Sequence, residues 1–346
     1  MAENATSLLF PGNQTNVGFE NEAACDEAHE KLICQECKEF LLSLPREKGW
    51  FKPYIYLYQH IWYAPAQLQA LISFQKHFQA KDSDIIIASL PKSGTTWLKA
   101  LTFAIVNRNR FSPSKHNHPL LISNAHELVP FFEFHDCKTN QIPDFSNLSD
   151  PRLFGTHVPC HSLPDSITMS RCRIIYICRN PLDNFVSFWF FYNKIVPPLS
   201  PKLSLEEAFE RYSEGNSVLG PFWTNILGYW RQGKETPNKV LFLKYEDLKG
   251  DTKFYLKRVA EFLDCPFNLA EEGNGVIEKM IELCSFRKMK ESAELNKKVK
   301  VMQKYENKDF FRKGEVGDWV NHFSPWMKEK LSKVIEEKLG GSGLSF

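Results

Sequence analysis

The sequence predicts an α/β fold, a single domain in which a central parallel β-sheet is flanked by helices. Three observations lead to this prediction. The chain of 346 residues is long enough for one large core, and no linker rich in Pro, Gly or Ser divides it. Four short, continuous apolar runs are typical of strands buried on both faces. Helical patterns separate these runs, and strands that alternate with helices form parallel sheets through right-handed crossovers.

Each predicted strand is followed at once by polar or charged residues. The predicted strands are residues 85–90, 152–155, 172–178 and 240–243. The residues that follow them are, in the same order, Lys92, His157, Arg179 and Tyr245. Because the carboxyl ends of parallel strands meet at one edge of the sheet, we expect these side chains to converge on one ligand site.

Helices are predicted from apolar residues that recur with a period near 3.6 and from start signals. The predicted helices are residues 31–45, 64–79, 95–107, 181–194, 204–213, 220–232, 250–264 and 275–284. Pro181 suits the first position of a helix behind Asn180, and Ser204 with Glu207 forms a capping box.

Composition excludes several classes of protein. The net charge of +2 is too small to indicate nucleic acid or a membrane surface as partner, and Lys99 interrupts the most apolar stretch. Nine cysteines without a secretory signal favour a reducing compartment, so we expect a cytoplasmic protein. Residues 1–30 contain Asp and Glu but no Lys or Arg, and we expect a disordered acidic tail before a single domain over 31–346.

The stretch IIIASLPKSGTTWLKALTF, residues 85–103, predicts a strand, a tight turn and a helix. Gly94 allows a close approach of the backbone, and a helix that opens with Thr95 and Thr96 presents unpaired N–H groups. Lys92 adds a mobile positive charge. The turn therefore predicts an anion site, although an ordinary helix start beside a solvated lysine remains an alternative.

The pattern argues against ATP as the ligand. In the Walker sequence a lysine follows the last glycine, whereas Lys92 precedes Gly94 by two positions. No predicted strand ends in an Asp that could hold Mg²⁺, unless Asp247 has that role. An ATP-dependent small-molecule kinase and a non-catalytic nucleotide binder remain as alternatives.

Six segments, in order, resemble the cytosolic sulfotransferase family, which uses 3′-phosphoadenosine 5′-phosphosulfate (PAPS) and releases 3′,5′-adenosine bisphosphate (PAP). They are PKSGTTW, RLFGTHVP, YICRNPLDNFVSFW, LFLKYEDLKGD, LCSF and FFRKGEVGDW. The stretch LPREKGWFKPYIYLYQHIWY, residues 44–63, is most similar to the plant branch. The resemblance implies a P-loop-kinase-like sulfotransferase fold with its nucleotide-binding core at about residues 84–320.

The resemblance implies a role for each matching residue. The residues of the 5′-phosphosulfate loop are Lys92, Ser93, Gly94, Thr95 and Thr96. The residues implied for the 3′-phosphate are Arg179, Ser187, Arg312, Lys313 and Gly314. The residues implied around the adenine are Trp97, Tyr245 and Phe286.

The resemblance also implies the catalytic residues. A hydroxyl acceptor must lose its proton as it attacks, and His157, with an unperturbed pKa of about 6.5, suits the role of base. Lys92 would neutralise the departing phosphate, and Ser187 would hold this lysine back until the acceptor binds. A sulfuryl group carries less negative charge than a phosphoryl group, so no metal is required.

Three departures from the family pattern limit the inference. Gly155 stands where animal members often have a second lysine, and Cys284 stands where many relatives have Thr, which leaves the adenine contact there open. The positions of the family's dimer motif hold Val320, Ser324, Pro325 and Glu329. Only the Glu agrees, so we expect a monomer.

The acceptor is expected to be a small hydrophobic molecule with a hydroxyl, such as the flavonols, hydroxyjasmonates and brassinosteroids that plant relatives use. Aromatic side chains that could line its pocket, or equally pack in the core, are Trp62, Tyr63, Phe131, Phe132, Phe134, Phe188 and Phe191. His135 could also line it. The strongly basic residues 287–313 form either a solvated loop or a lid that closes over the nucleotide.

Overall fold

A computed structural model of the chain describes six ranges. They are residues 33–50, 53–133, 143–195, 202–295, 300–301 and 305–346. The predicted acidic tail over 1–30 lies outside the described residues, as do Phe134 and His135.

A small antiparallel sheet precedes the central one. Its strands are β1 (Arg46–Lys48), β2 (Tyr54–Tyr58) and β3 (Ile61–Tyr63). Between β2 and β3 the chain turns at Gln59 and His60, whose φ angles are +49° and +65°, as in a two-residue type I′ hairpin. The prediction of a helix over 31–45 is wrong at its end. Helix α1 stops at Leu42, because Pro45 disfavours helical backbone in the residue before it.

The central sheet consists of four parallel strands, as predicted. They are β4 (Ile85–Ser89), β5 (Leu153–Thr156), β6 (Arg173–Cys178) and β7 (Val240–Lys244). Their spatial order is β5–β4–β6–β7. Ala88 pairs with Thr156 on one side and with Tyr176 on the other. The carboxyl ends of three strands are therefore level, and the residues that follow them meet at one edge.

Helices cover both faces of the sheet. The described helices are α1 (Gln35–Leu42), α2 (Pro65–His77), α3 (Thr95–Val106), α4 (Pro119–Ile122), α5 (Ala125–Leu128), α6 (Asp165–Met169), α7 (Pro181–Ile195), α8 (Leu205–Ser213), α9 (Phe222–Glu235), α10 (Tyr245–Gly250), α11 (Thr252–Phe262), α12 (Leu269–Gly273), α13 (Val276–Leu283), α14 (Phe286–Leu295) and α15 (Pro325–Leu339). Seven of the eight predicted helices are observed with ends that differ by at most three residues. None of the helices in the described ranges has the length and apolar character needed to cross a bilayer.

Side chains alternate along the strands and divide the core into two halves. Ile86 and Tyr176 belong to one apolar cluster, whereas Ile87 and Ile175 belong to the cluster on the opposite face. Both clusters are closed to solvent, which is why the strands are apolar throughout rather than alternating.

The basic segment 287–313 has more regular structure than its composition predicts. Helix α14 ends at Leu295, β8 (Lys300–Val301) pairs with β9 (Tyr305–Glu306), and a 3₁₀ turn covers Asn307–Phe310. A second 3₁₀ turn, Asp318–Asn321, follows. The prediction of a solvated loop is wrong for these parts, and closure as a lid stays a prediction.

A buried ion pair joins the starts of β4 and β5, and we expect it to matter for stability. Arg152 donates to both carboxylate oxygens of Asp84, at 2.8 and 2.6 Å, and both side chains are buried. Asp84→Asn leaves a buried guanidinium without its counter-charge, so the free energy of unfolding should fall by about 3 kcal/mol. Urea denaturation measures this. Glu278→Gln breaks the exposed pair with Lys253 and should cost under about 1 kcal/mol; equal losses would contradict the argument.

Candidate active site

The turn between β4 and α3 has a backbone that few sequences adopt. Lys92 and Gly94 have φ angles of +68° and +103°. A Cβ atom at Gly94 would lie 2.7 Å from the ring of Tyr245, so only glycine fits without displacement. Helix α3 then begins at Thr95 with no side chain capping its N–H groups. These groups and the helix dipole form an anion site at the carboxyl edge of the sheet.

Neighbouring elements fix this turn. Asn184, on α7, donates from its side-chain amide to the carbonyl of Pro91 at 2.8 Å and to the hydroxyl of Ser93 at 3.1 Å. The hydroxyls of Ser89 and Thr95 lie 2.6 Å apart. Asn184 was not identified from the sequence, because nothing in its local pattern indicates a partner 91 residues away.

The Lys92 side chain lies at this edge between two aromatic rings. Its Nζ is 3.9 Å from the centre of the Phe191 ring and 5.7 Å from that of Phe310. Burial, and then the positive charges of Arg179 and Arg312, lower the pKa of Lys92 to about 7. Lys92 is therefore placed to gain a proton when an anion binds beside it.

His157 follows β5 and is held by the end of β4. Its Nδ1 lies 2.7 Å from the carbonyl oxygen of Ser89. Because a carbonyl oxygen only accepts, Nδ1 carries the hydrogen and Nε2 is the basic nitrogen. Burial lowers the pKa of His157 to about 3, so the imidazole is neutral at physiological pH and can accept a proton.

Glu133 binds the backbone of His157, and it was not identified from the sequence. Its carboxylate accepts from the backbone N–H of His157 and, at 3.1 Å, from the hydroxyl of Thr156. Burial raises the pKa of Glu133 to about 7. The backbone of His157 is thus fixed by a carboxylate in addition to the sheet.

Arg179, at the end of β6, contacts the segment that carries two further cations, Arg312 and Lys313. It is buried over the ring of Tyr245, and its Nη2 donates to the carbonyl of Glu315 at 2.6 Å. Arg312 and Lys313 each bind Asp318 at 2.6 Å. Burial raises the pKa of Asp318, but these two ion pairs outweigh burial and lower it.

Asp183 attaches this second cationic segment to α7. Its carboxylate accepts from the backbone N–H groups of Gly317 and Trp319, at 2.6 and 3.0 Å. The segment that carries Arg312 and Lys313 is thereby fixed close to Arg179. Asp183 and Asp318 were not singled out from the sequence, where both look like ordinary surface acids.

The residues predicted around the adenine are also brought together. The rings of Trp97 and Tyr245 are 5.7 Å apart, and the Tyr245 hydroxyl donates to the carbonyl of Gly314 at 3.0 Å. Gly314 has φ +69°, and a Cβ there would lie 2.5 Å from the Phe286 ring. Cys284, in contrast, is fully buried in the apolar core.

The guanidinium groups at the predicted 3′-phosphate site are suited to a phosphate group. Within the described part of the chain, the Nε atoms of Arg179 and Arg312 are buried and have no hydrogen-bond partner. Unpaired guanidinium N–H groups suit a phosphate, which offers several acceptor oxygens. No group of three or more His, Cys, Asp or Glu side chains suited to a metal ion occurs in the described ranges. Ser187 is buried on α7, one turn before Phe191, and its role stays a prediction.

The aromatic candidates divide between the site and the core. The Phe131 ring lies 4.8 Å from that of His157, and Phe191 contacts Lys92. Phe132 is fully buried and stacks on Phe74 and Phe154, so it belongs to the core. The remaining described candidates, Trp62, Tyr63 and Phe188, belong to or pack against the same core cluster.

Four features of this site define a class of protein. They are a parallel sheet, an uncapped helix start behind a glycine turn, cations for two anionic groups and a neutral histidine between strand ends. They are the features of an enzyme that transfers a group from a nucleotide. The chain belongs to the sulfotransferase family, since residues 82–343 match the sulfotransferase domain. The resemblance inferred from the sequence and the predicted fold are thereby confirmed.

Known relatives agree along most of the chain. Cytosolic sulfotransferase 15 of Arabidopsis thaliana is 49% identical over 92% of this chain and 89% of its own length. Cytosolic sulfotransferase 14 of the same plant is 47% identical over 94% of each chain.

Solved structures agree as well. A candidate steroid sulphotransferase of Arabidopsis thaliana superimposes with a TM-score of 0.71 and 43% identity, covering 89% of this chain and 94% of its own. A mouse sulfotransferase complexed with PAP gives a TM-score of 0.64 and 26% identity, covering 83% and 95%.

Proposed function

We propose that this sulfotransferase moves the sulfuryl group of PAPS to a hydroxyl of a small hydrophobic acceptor, by in-line displacement. One observation carries the proposal: Ser89 joins the two halves of the site. Its hydroxyl contacts Thr95 in the anion-binding turn, and its carbonyl oxygen accepts from Nδ1 of His157. A base and an anion site that share one residue are suited to group transfer, whereas binding alone requires no base.

The donor would be held at both of its anionic ends. The residues proposed to bind the 5′-phosphosulfate are Lys92, Ser93, Gly94, Thr95 and Thr96. Arg179, with Ser187, Arg312, Lys313 and Gly314, is proposed to bind the 3′-phosphate, and Trp97, Tyr245 and Phe286 to enclose the adenine. The PAP held by the mouse relative supports this assignment.

The chemistry follows from two side chains. PAPS supplies an activated sulfuryl group, and PAP is the product. Nε2 of the neutral His157 takes the proton of the acceptor hydroxyl as it attacks. The ammonium of Lys92 stabilises the negative charge that develops on the departing phosphate.

The acceptor would enter beside the two aromatic rings at the site. Phe131 packs against His157, and Phe191 lies under Lys92, so both line the space where acceptor and donor meet. We propose a flavonol, hydroxyjasmonate, brassinosteroid or similar alcohol or phenol. The names of the relatives support a cytoplasmic enzyme, and the changed dimer motif supports a monomer.

Transfer of radiolabelled sulfate from PAPS to a panel of flavonols, hydroxy-acids and steroids tests the proposal. We expect a labelled product with at least one acceptor and stabilisation against heat by PAP but not by Mg-ATP. Stabilisation by Mg-ATP alone would point to a kinase. Stabilisation by PAP with no product on any acceptor would point to a non-catalytic binder.

Two substitutions should separate catalysis from binding. His157→Ala removes the base, so kcat should fall by about a hundredfold or more while the Kd for PAP, measured by calorimetry, stays within about twofold. Arg179→Ala removes a phosphate ligand and should weaken PAP binding by about tenfold or more. Adenosine 5′-phosphate, which lacks the 3′-phosphate, is the control ligand for Arg179→Ala. It should bind the wild-type protein and this variant alike. A His157→Ala enzyme with most of its rate would refute the base assignment.

Donor affinity should depend on pH through Lys92. The groups that set its pKa to about 7, besides burial, are Arg179, Arg312 and Lys194, which lower it, and Asp309, which raises it. A bound phosphate favours the ammonium form and raises this pKa, so above pH 7 binding must take up a proton. PAP affinity should then fall by about tenfold per pH unit as pH rises above 7. Lys92→Arg stays charged and serves as control; the same slope in both proteins would contradict the assignment.

A further inference from the structure

Lys99 is a buried lysine in an apolar helix, and the proposed reaction does not use it. It lies on α3, three residues after Thr96, and its side chain is fully buried. Nζ donates to the carbonyl of Val129 at 2.9 Å, lies 3.3 Å from Nδ1 of His126 and is 3.0 Å from the centre of the Phe131 ring. A buried amine lowers the stability of the fold unless it is fully hydrogen-bonded, so we expect this one to have a function.

The absence of a side chain at Gly155 makes room for this amine. A Cβ atom at Gly155 would lie 2.2 Å from Nζ of Lys99. Lys99 therefore occupies the space beside β5 that a side chain at 155 would fill, immediately before Thr156 and His157. No lysine was expected beside His157 from position 155, yet Lys99 brings an amine to this place from α3.

Each partner of Lys99 can accept a hydrogen bond. A carbonyl oxygen, an imidazole nitrogen and the face of an aromatic ring match the three N–H groups of an ammonium ion. Burial lowers the pKa of Lys99 well below its usual value, and the carboxylate of Glu133 opposes this only in part. Whether it is an amine or an ammonium ion, Nζ carries at least two N–H groups, one for the carbonyl of Val129 and one for Nδ1 of His126.

The direction of this bond fixes the hydrogen on His126. Burial lowers the pKa of His126 well below its usual value, so its ring is neutral and carries one hydrogen. If Nδ1 accepts from Lys99, the hydrogen must be on Nε2, which lies 2.9 Å from the hydroxyl oxygen of Thr96. Thr96 then accepts from His126, and its own hydrogen is left for another acceptor.

We propose that Lys99 is a positioning residue, which acts through His126 to make the Thr96 hydroxyl a donor toward the anion in the turn. The proposal rests on the function proposed above, which places the 5′-phosphosulfate beside Thr96. Without Lys99, the His126 ring can take the other tautomer and accept from Thr96, whose lone pairs then face the anion. Lys99 thus affects the affinity for a 5′-phosphate without contacting it.

Calorimetry with two nucleotides tests the proposal. PAP carries the 5′-phosphate and adenosine 3′-phosphate lacks it. Lys99→Met keeps the length of the side chain and removes the donor, so the Kd for PAP should rise by about tenfold and that for adenosine 3′-phosphate should not change. Equal weakening of both nucleotides, or no change in either, would overturn the proposal, because a purely structural role does not discriminate between them.

A double-mutant cycle tests whether Lys99 acts through Thr96. Thr96→Val removes the hydroxyl, and in that background Lys99→Met should have no further effect on PAP affinity. Independent, multiplicative losses would contradict a route through Thr96. Failure of wild-type protein to bind PAP would refute the proposed function itself, whereas binding that Lys99→Met leaves intact would refute only this inference.

Substitutions of His126 keep the test valid if Lys99→Met does not fold. His126→Gln retains one group that accepts from Lys99 and one that donates to Thr96, and should keep PAP affinity within about threefold. His126→Phe fills the same space without either group and should lose about tenfold for PAP alone. Equal PAP affinities in the Gln and Phe variants would contradict the proposal.

Discussion

The hydrogen bond between Nδ1 of His157 and the carbonyl of Ser89, at 2.7 Å, is the contact on which the site depends. Ser89 ends β4 and also contacts Thr95 through its hydroxyl, so the base and the anion-binding turn are fixed relative to each other. Pairing of Ala88 with Thr156 places the two strand ends level. The arrangement is therefore a property of the sheet rather than of a mobile loop.

Buried polar groups around this contact impose a cost that only complete hydrogen bonding offsets. Lys99, His126 and Glu133 are all buried, and each unpaired group of this kind would cost about 1–3 kcal/mol. Their partners are a backbone carbonyl, a backbone N–H group, the hydroxyls of Thr96 and Thr156, and one another, as expected where geometry must be held to a fraction of an ångström.

Much of the fold and the first layer of the site could be predicted from the sequence. Parallel strands bring their carboxyl ends together, so Lys92, His157 and Arg179 could be assigned to one edge from the apolar runs alone. The antiparallel sheet of β1, β2 and β3 was missed because the aromatic residues of β2 and β3 follow no clear period. Helices α14 and α15 were missed because their charged residues favour a solvated interpretation.

The supporting residues could not be predicted because their partners are distant in sequence. Glu133, Asp183 and Asp318 are indistinguishable from surface acids until the chain folds around them. Phe131 and Phe132 are adjacent, yet Phe131 bridges to Gly155 and reaches the site while Phe132 enters the core. The position of Lys99 in the sequence did indicate a link to the turn. It follows Thr96 by three residues and Thr95 by four, so it lies on the same face of α3 as both.

A crystal structure of the protein with PAP tests the central claim most directly. The account predicts the 5′-phosphate within hydrogen-bonding distance of the backbone N–H groups of the turn after β4, the 3′-phosphate on Arg179, and His157 facing the 5′-phosphate. PAP bound elsewhere, or with its two phosphates exchanged between these positions, would contradict it.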